Sequence, residues 1–266
     1  NGASHEVTAS DQFLWGTLPT DITFAPNGDF YFVDWVVGWP KSNKGRIYSV
    51  TPKNPSAAEA QIVAEVKALI GGGILASSDE ALLQLIGHQD QRVRLRAQYE
   101  LAERGSAHID ALQTITADLS AQRLHRIHAL WTLGMIQRQD SSALQSLPAL
   151  LADTDREVRA QAAKLAGDHG LAASSATLIE LLKDSEARVQ FFAAQSLGKL
   201  DDADAGTALV ELLRRNNNAD KYLRHVAASC AKRHSPSMMP QSMPPCPRSP
   251  PCSGKGTSTT RPFNCV

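Results

Sequence analysis

The chain has 266 residues, with Lys plus Arg and Asp plus Glu at 27 each, so its formal net charge is zero and nothing in the balance selects nucleic acid or an anionic membrane as a partner. No apolar run approaches the roughly 18–20 residues needed to cross a bilayer, and the opening lacks a charged region followed by an apolar one, so neither a membrane span nor a signal peptide is expected. Four cysteines, Cys230, Cys246, Cys252 and Cys265, form no Cys-x-x-Cys and no Cys-x-x-Cys-His, which leaves a zinc ribbon, a thioredoxin-type pair and a c-type haem site unsupported. The first residue is Asn, and the sequence reads as a segment of something longer.

Residues 1–52 read as β-structure. Ile22-Thr-Phe-Ala25 alternates, Asn27-Gly28 predicts a hairpin turn with both central residues at positive φ, and Phe30-Tyr-Phe-Val33 is the returning strand. Arg46-Ile-Tyr-Ser-Val50 makes a third strand, closed by Pro52. Three strands belong more comfortably to a larger sheet than to water. Pro19-Thr-Asp-Ile-Thr-Phe-Ala-Pro-Asn-Gly-Asp-Phe-Tyr-Phe-Val-Asp-Trp35 with Gly45-Arg-Ile-Tyr48 resembles one blade of a six-bladed propeller of the NHL and soluble quinoprotein glucose dehydrogenase type. In such a blade Asp21, Asp34 and Trp35, with the 36–45 loop and Arg46, would share one rim, where the resemblance implies a ligand site. Lys41 and Lys44 would stand at the same rim. Asp is also an ordinary turn residue, so capping and blade-tying is the competing role for Asp21 and Asp34.

Residues 53–78 read as a linker carrying a short helix, Ala57–Ile70, stopped by Gly71-Gly-Gly73. The glycines lack the Gly-Lys-Ser/Thr ending of a phosphate cradle.

From residue 79 to 233 the chain repeats. Val93, His125, Val158, Val189 and Leu223 align at steps of 32, 33, 31 and 34 residues, the period of a stacked helical-pair array. Helix A and helix B of each unit are expected near Asp79–Ile86 and Gln91–Glu103, from His108 and Ala121–Ile136, Ser142–Ala152 and Arg156–His169, Ala176–Leu182 and Glu186–Leu200, Ala205–Arg215 and Ala219–Lys232. Asp90, Asp155 and Ser185 are placed to cap the B helices. Arg94, Arg126, Arg159 and Arg224 share one column, with Gln190 in the fourth unit, and an Arg there can reach a neighbour's acidic turn. A phosphate-binding stripe is the weaker reading, because acids accompany the arginines. Ala97, Ala129, Ala162, Ala193 and Ala227 form a second column, where small residues let helices approach. Asp-x-x-Val-Arg-x-x-Ala-Ala-x-x-Leu-Gly, clearest at Asp155–Gly167 and Ser185–Gly198, resembles the bacterial HEAT-like repeat, also called the phycobilisome-lyase type. The fold expected is mainly α: a solenoid of about five helical pairs behind a small β-meander.

The order of the parts resembles one family further. Leu14-Trp-Gly-Thr-Leu-Pro-Thr-Asp21, Asp34-Trp-Val-Val-Gly-Trp39, Gly87-His-Gln-Asp-Gln-Arg-Val-Arg94 and Ala97-Gln-Tyr-Glu-Leu-Ala-Glu-Arg-Gly105 are similar to the large bacterial family of membrane-bound dehydrogenases, with a quinoprotein-like propeller, HEAT-like repeats and a C-terminal c-type cytochrome. The resemblance implies an exported, periplasmic or cell-envelope redox protein. Quinone and haem belong to the full-length family; no residue here carries either motif. The function expected is a non-catalytic scaffold that docks protein partners or neighbouring domains, without nucleic acid. The alternatives are part of a sugar dehydrogenase using pyrroloquinoline quinone, whose propeller rim contributes to a site, and a bilin-lyase-like protein. His125 and His128, one helical turn apart with Trp131 beyond, could share a metal only with a third ligand that the sequence does not supply. No catalytic, cofactor or metal residue is assigned.

Eight of the 14 prolines fall in the last 31 residues, so 234–266 is expected to be disordered, and the abrupt change suits a shifted reading frame, a misjoined gene end or a Pro-rich partner ligand.

Overall fold

A computed structural model describes residues 2–36, 43–200, 202 and 204–234. The expectations for the Pro-rich tail, and for most of the 36–45 loop including Lys41, lie outside the described residues.

Strands β1 (Pro19–Phe24), β2 (Phe30–Asp34) and β3 (Arg46–Val50) form one antiparallel sheet in that order. Its register sets Ile22 opposite Phe32 opposite Tyr48, and Phe24 opposite Phe30 opposite Val50. Phe32 and Tyr48 stack with centroids 4.8 Å apart, and Phe30 lies 5.2 Å from Phe24. One face is therefore an aromatic ladder of cross-strand pairs. The hairpin turn differs from expectation. Of the two central residues only Gly28 has positive φ (84°), and the Gly28 N–H donates to Ala25 O at 3.0 Å. Pro26 fixes φ at the first turn position, so the chain makes an ordinary turn followed by a left-handed glycine rather than a two-residue mirror-image turn.

Helix α1 (Ala57–Ala68) opens with a reciprocal capping box between Ser56 and Glu59. Its α-helical hydrogen bonding stops at Ala68, and Leu69–Gly73 follows as a π-helical turn, with the Ile74 N–H reaching Leu69 O. That wider turn carries Ile74 into the core, where it and Val66 are buried. The segment expected as a linker is thus packed onto the repeats and closes their first unit.

Five helical pairs follow: α2 (Asp79–Leu85) with α3 (Gln91–Arg104), α4 (Ile109–Ala117) with α5 (Arg123–Ile136), α6 (Leu147–Leu150) with α7 (Arg156–Asp168), α8 (Ser175–Leu181) with α9 (Ala187–Leu200), and α10 (Ala205–Asn216) with α11 (Lys221–His234). The odd-numbered members from α3 onward are the B helices. A and B helices together carry a single hydrophobic core through Leu82, Leu101, Leu112, Leu133, Leu151, Leu178, Leu197 and Leu212. Each such buried side chain contributes about 1.5–3 kcal/mol. No unit can bury its apolar face alone, so the core exists only in the stack.

The third A helix is shorter than expected. Pro148 has no N–H, and its ring would meet the Leu144 carbonyl in a continuous helix. Residues 141–146 therefore run as turns and regular helix begins at Leu147, yet Leu144, Leu147, Leu150 and Leu151 still reach the core.

The alanine column is fully buried at all five positions. Five residues beyond it in α5, α7 and α9 lies a glycine column, Gly134, Gly167 and Gly198, on which the next B helix rests. A Cβ on Gly167 would lie 2.6 Å from Ser196 Cα, and one on Gly198 would lie 3.0 Å from Cys230 Cβ. Ser196 Oγ–H also donates to Ala163 O at 2.7 Å, fixing the contact. Gly167→Ala should therefore lower stability by about 1–3 kcal/mol, because backbone has to move. Gly170→Ala, whose Cβ meets nothing within 4 Å, faces no such contact and is limited by its positive φ alone. Urea unfolding midpoints of the two variants against the parent check this, with the Gly167 variant expected to lose more.

Candidate functional site

The polar chemistry of the repeats gathers where each B helix begins. The preceding turn is acidic because it must satisfy free backbone N–H groups. Asp90 accepts the N–H groups of Arg92 and Val93, and Asp155 those of Glu157 and Val158. Ser185 does not cap α9. The helix starts one residue later than expected, and Asp184 Oδ1 accepts the Glu186 N–H at 2.8 Å.

The arginine column works across this turn. Arg126 donates from Nε and Nη2 to Thr116 O at 2.9 and 2.7 Å, and from Nη1 and Nη2 to the Asp153 carboxylate of the next unit. Both side chains of that pair are at most 6% exposed. Arg159 repeats the arrangement one unit on. Its Nη1 donates to Asp153 O at 2.7 Å and its Nε and Nη2 to Asp184 at 2.9 and 3.1 Å. Arg94 donates to His88 O and Gln89 O in its own turn and to His128 across the gap. Gln190 keeps the own-turn bond, to Asp184 O, and has no guanidinium to send onward. Arg224 is exposed and donates to Asn218 Oδ1 at 3.5 Å. Asp155, placed with the arginine column in the repeat pattern, serves as the cap of α7. The acids that Arg126 and Arg159 reach are Asp153 and Asp184, each two residues before the first residue with a helical partner.

His128 is buried with both ring nitrogens engaged. Nε2 accepts from Arg94 Nε at 3.1 Å, so Nδ1 carries the proton and donates to Gln98 Oε1 at 2.8 Å. Burial first, then the Arg94 charge, push its pKa down to about 4. His125 Nε2 donates to Leu83 O at 2.7 Å, pointing away toward the first pair. The two histidines therefore serve different neighbours and do not converge on one point. No group of three or more metal-ligating side chains occurs among the described residues.

An open cleft of about 590 Å³ lies along the same edge, lined by Arg123, Arg126, Asp155, Arg156, Arg159 and Glu186 together with Thr154 and Ser185. Arg123 Nε donates to Asp155 Oδ2 at 2.6 Å and Arg156 Nη1 to Glu186 Oε2 at 3.0 Å, each reaching the following unit. The Asp155 carboxyl feels burial, which raises its pKa, but the Arg123 and backbone N–H donors outweigh that and hold it below the usual range. These outer arginines were not singled out from the sequence. Their signal was an Arg within the first two positions of successive B helices, against the helix dipole.

In the sheet, Asp34 is buried and accepts the Leu18 N–H at 2.8 Å, while the Trp35 N–H donates to Leu18 O. Asp34 pairs with Arg46 across β2 and β3, and Asp21 with Val33 across β1 and β2, so the rim residues do share one end. Asp21 caps the Ile22 N–H, and Arg46 donates to the Tyr48 hydroxyl at 3.2 Å. The sheet is tied to the repeats by Arg92, whose Nη1 donates to Phe24 O and Ala25 O, both at 2.8 Å.

Stacked two-helix units, small-residue contacts between B helices and an arginine–aspartate ladder between turns define an α-solenoid. The HEAT repeats family matches at residues 80–164 and 144–232, more than half of the chain, and the protein belongs to it. Among solved structures, the complex of CpcE and CpcF of phycocyanin lyase from Nostoc sp. PCC7120 is similar with a TM-score of 0.47 at 18% identity, over 60% of this chain and 66% of that one. The chain thus spans just under two thirds of the lyase chain. An engineered protein is similar with a TM-score of 0.43 at 19% identity, over 67% of this chain and 92% of that one. No curated protein matches the sequence.

Two outcomes follow from the geometry. Arg126→Ala should cost about 3–5 kcal/mol, because it strands a buried carboxylate, whereas Arg123→Ala, at an exposed pair, should cost about 0–1 kcal/mol; chemical unfolding at neutral pH separates them. His128 is held neutral, so its folded pKa lies below its unfolded one and stability must fall as pH drops from about 6.5 toward about 4. The stability of the parent relative to His128→Gln, measured across that window, should decline with falling pH and stay level above it.

Proposed function

We propose that this chain is a non-catalytic, partner-docking scaffold, and that it serves as the HEAT-repeat segment of a larger exported redox protein. The observation that carries the scaffold reading is how the chemically capable side chains of the repeats are employed. Arg126, Arg159, Asp153, Asp184 and both ring nitrogens of His128 are consumed in holding units together. What faces outward is a contact surface, including Tyr99, Leu124 and Tyr222 on the B helices. The redox context is supported by the resemblance of residues 1–233 to the dehydrogenase family and by the sheet that precedes the repeats. Ile22 and Phe24 on one face of that sheet, and Ile47 on the other, are more than half exposed, apolar surface suited to meeting further structure.

Calorimetric titration with pyrroloquinoline quinone and calcium should give no heat of binding. Saturable binding in the micromolar range would overturn the scaffold reading and favour a propeller rim that still contributes to a quinone site. A bilin-transfer assay should leave the chain uncoloured; a covalent coloured adduct would favour lyase-like activity instead.

A further inference from the structure

We infer that the edge formed by the B-helix N-termini of units two to four is a docking strip for an acidic, extended polypeptide segment, read by Arg123 and Arg156 with Arg188 at its flank. The inference rests on the partner-docking reading above and names the chemistry of the partner.

Four observations lead there. The first is depth. Arg123 and Arg156 are 55% and 64% exposed, whereas the acids they pair with, Asp155 and Glu186, are 18% and 36% exposed. Counted by formal charge the strip is nearly neutral, but the carboxylates lie underneath and the guanidiniums outside, so an approaching chain meets cations. The second is spare donors. A guanidinium has five N–H groups, and Arg123 and Arg156 each spend one on the neighbouring unit. Arg188 spends Nε and Nη2 on Glu157 and lies over the Phe192 ring, so it offers less. Arg92, at the corresponding place in unit one, makes four hydrogen bonds, to Asp90 and the sheet carbonyls, and marks the strip's end. The third is position. An Arg in the first turn of a helix opposes the dipole, and it recurs at the start of α5, α7 and α9, where local stability would favour an acid. The local preference is broken at three successive helix starts, in two adjacent alignment columns, and the outer guanidiniums there keep donors beyond those used between units. The fourth is shape. The strip contains the cleft of about 590 Å³, whose lining includes Thr154 and Ser185 beside the arginines. Hydroxyls such as theirs rotate to donate to an oxyanion.

The spacing selects the partner. Packed helices lie about 8–10 Å apart, and one three-residue turn of an extended polyproline-II-type chain rises about 9 Å and returns every third side chain to the same side. Acidic side chains at every third residue would therefore meet successive arginines. A nucleic-acid strand carries far denser charge, one per about 1.7 Å of duplex axis, and would leave most phosphates unmatched.

The test is fluorescence anisotropy of the full chain at low ionic strength, where exposed charges are least screened. The probe is a fluorescein-labelled peptide of four Glu-Ser-Gly units. Its controls are a peptide of the same composition with the four Glu contiguous, the corresponding Lys-Ser-Gly peptide, and an oligothymidylate of twelve nucleotides. Saturable binding of the spaced acidic peptide is expected, weakened about tenfold or more by combined Arg123→Gln and Arg156→Gln, with the contiguous and basic peptides binding less well. Both positions are exposed, so the variant should keep its helical circular dichroism and unfolding midpoint. Arg123→Lys with Arg156→Lys should retain part of the affinity. Absence of saturation up to about 1 mM peptide, equal binding by the folded Gln variant, or tighter binding of the oligothymidylate would each overturn the inference. If the peptide fails while quinone titration is also silent, the scaffold reading survives and only the acidic strip is lost.

Discussion

Successive B helices approach one another at a glycine, and most of the architecture is a consequence of that approach. Gly134 receives Leu165, Gly167 receives Ser196 and Gly198 receives Cys230. At each point a side chain of the next unit occupies the space where a Cβ would stand. The closeness permits the fully buried alanine column beside it and lets leucines from both helices of a pair pack into one core. It also fixes the stagger between units, and so decides which turn each arginine can reach. The Ser196 hydroxyl bonded to Ala163 O shows how tight the fit is: a polar side chain is buried there because a main-chain acceptor lies directly beneath it.

Given that stagger, the same residue type takes two roles according to depth. Arg126 and Arg159 lie beneath the turns, bridging carbonyls of their own unit to a carboxylate of the next. At that depth a missing partner is expensive, so the pairs specify register more than they add stability. Arg123 and Arg156 lie at the lip of the same turns, where water competes and pairing contributes little. The fourth unit shows that the inner ladder can lapse: Gln190 holds its own turn but sends nothing to the fifth. Stacking there is carried by Gly198 against Cys230 and by Arg215 donating to Leu182 O.

How much of this could be read beforehand follows from which signals are local. The repeat period, the alanine column and the capping role of Asp90 and Asp155 were legible because each is a one-residue property recurring at a fixed step. The truncated α6 was legible only in part, since leucine periodicity argued for a full helix while Pro148 argued against one, and the leucines reach the core through turns instead. Ser185 looked like a cap because serine is a good one, but Asp184 already holds the Glu186 N–H. The hairpin followed Pro26 rather than the Asn-Gly pair. The outer arginines escaped because they fall in two alignment columns, Arg123 and Arg156 in one and Arg92 and Arg188 in the next. Only the helix ends bring those columns to one edge.

Arg92 joins these two levels of organisation. It stands where the outer arginines stand, yet its guanidinium makes four hydrogen bonds, to Asp90 and to the carbonyls of Phe24 and Ala25 at the end of β1. Those carbonyls lie at the hairpin turn, and Gly28 of the same turn packs on Val63 of α1. The sheet is therefore held by main-chain acceptors offered to a repeat-edge arginine, the same kind of donor that units two and three leave exposed. In unit one the edge is met by main-chain oxygen atoms of the hairpin turn, offered to a guanidinium. That contact within the chain is the precedent for the proposed use of the neighbouring arginines as donors to a segment from outside the repeats.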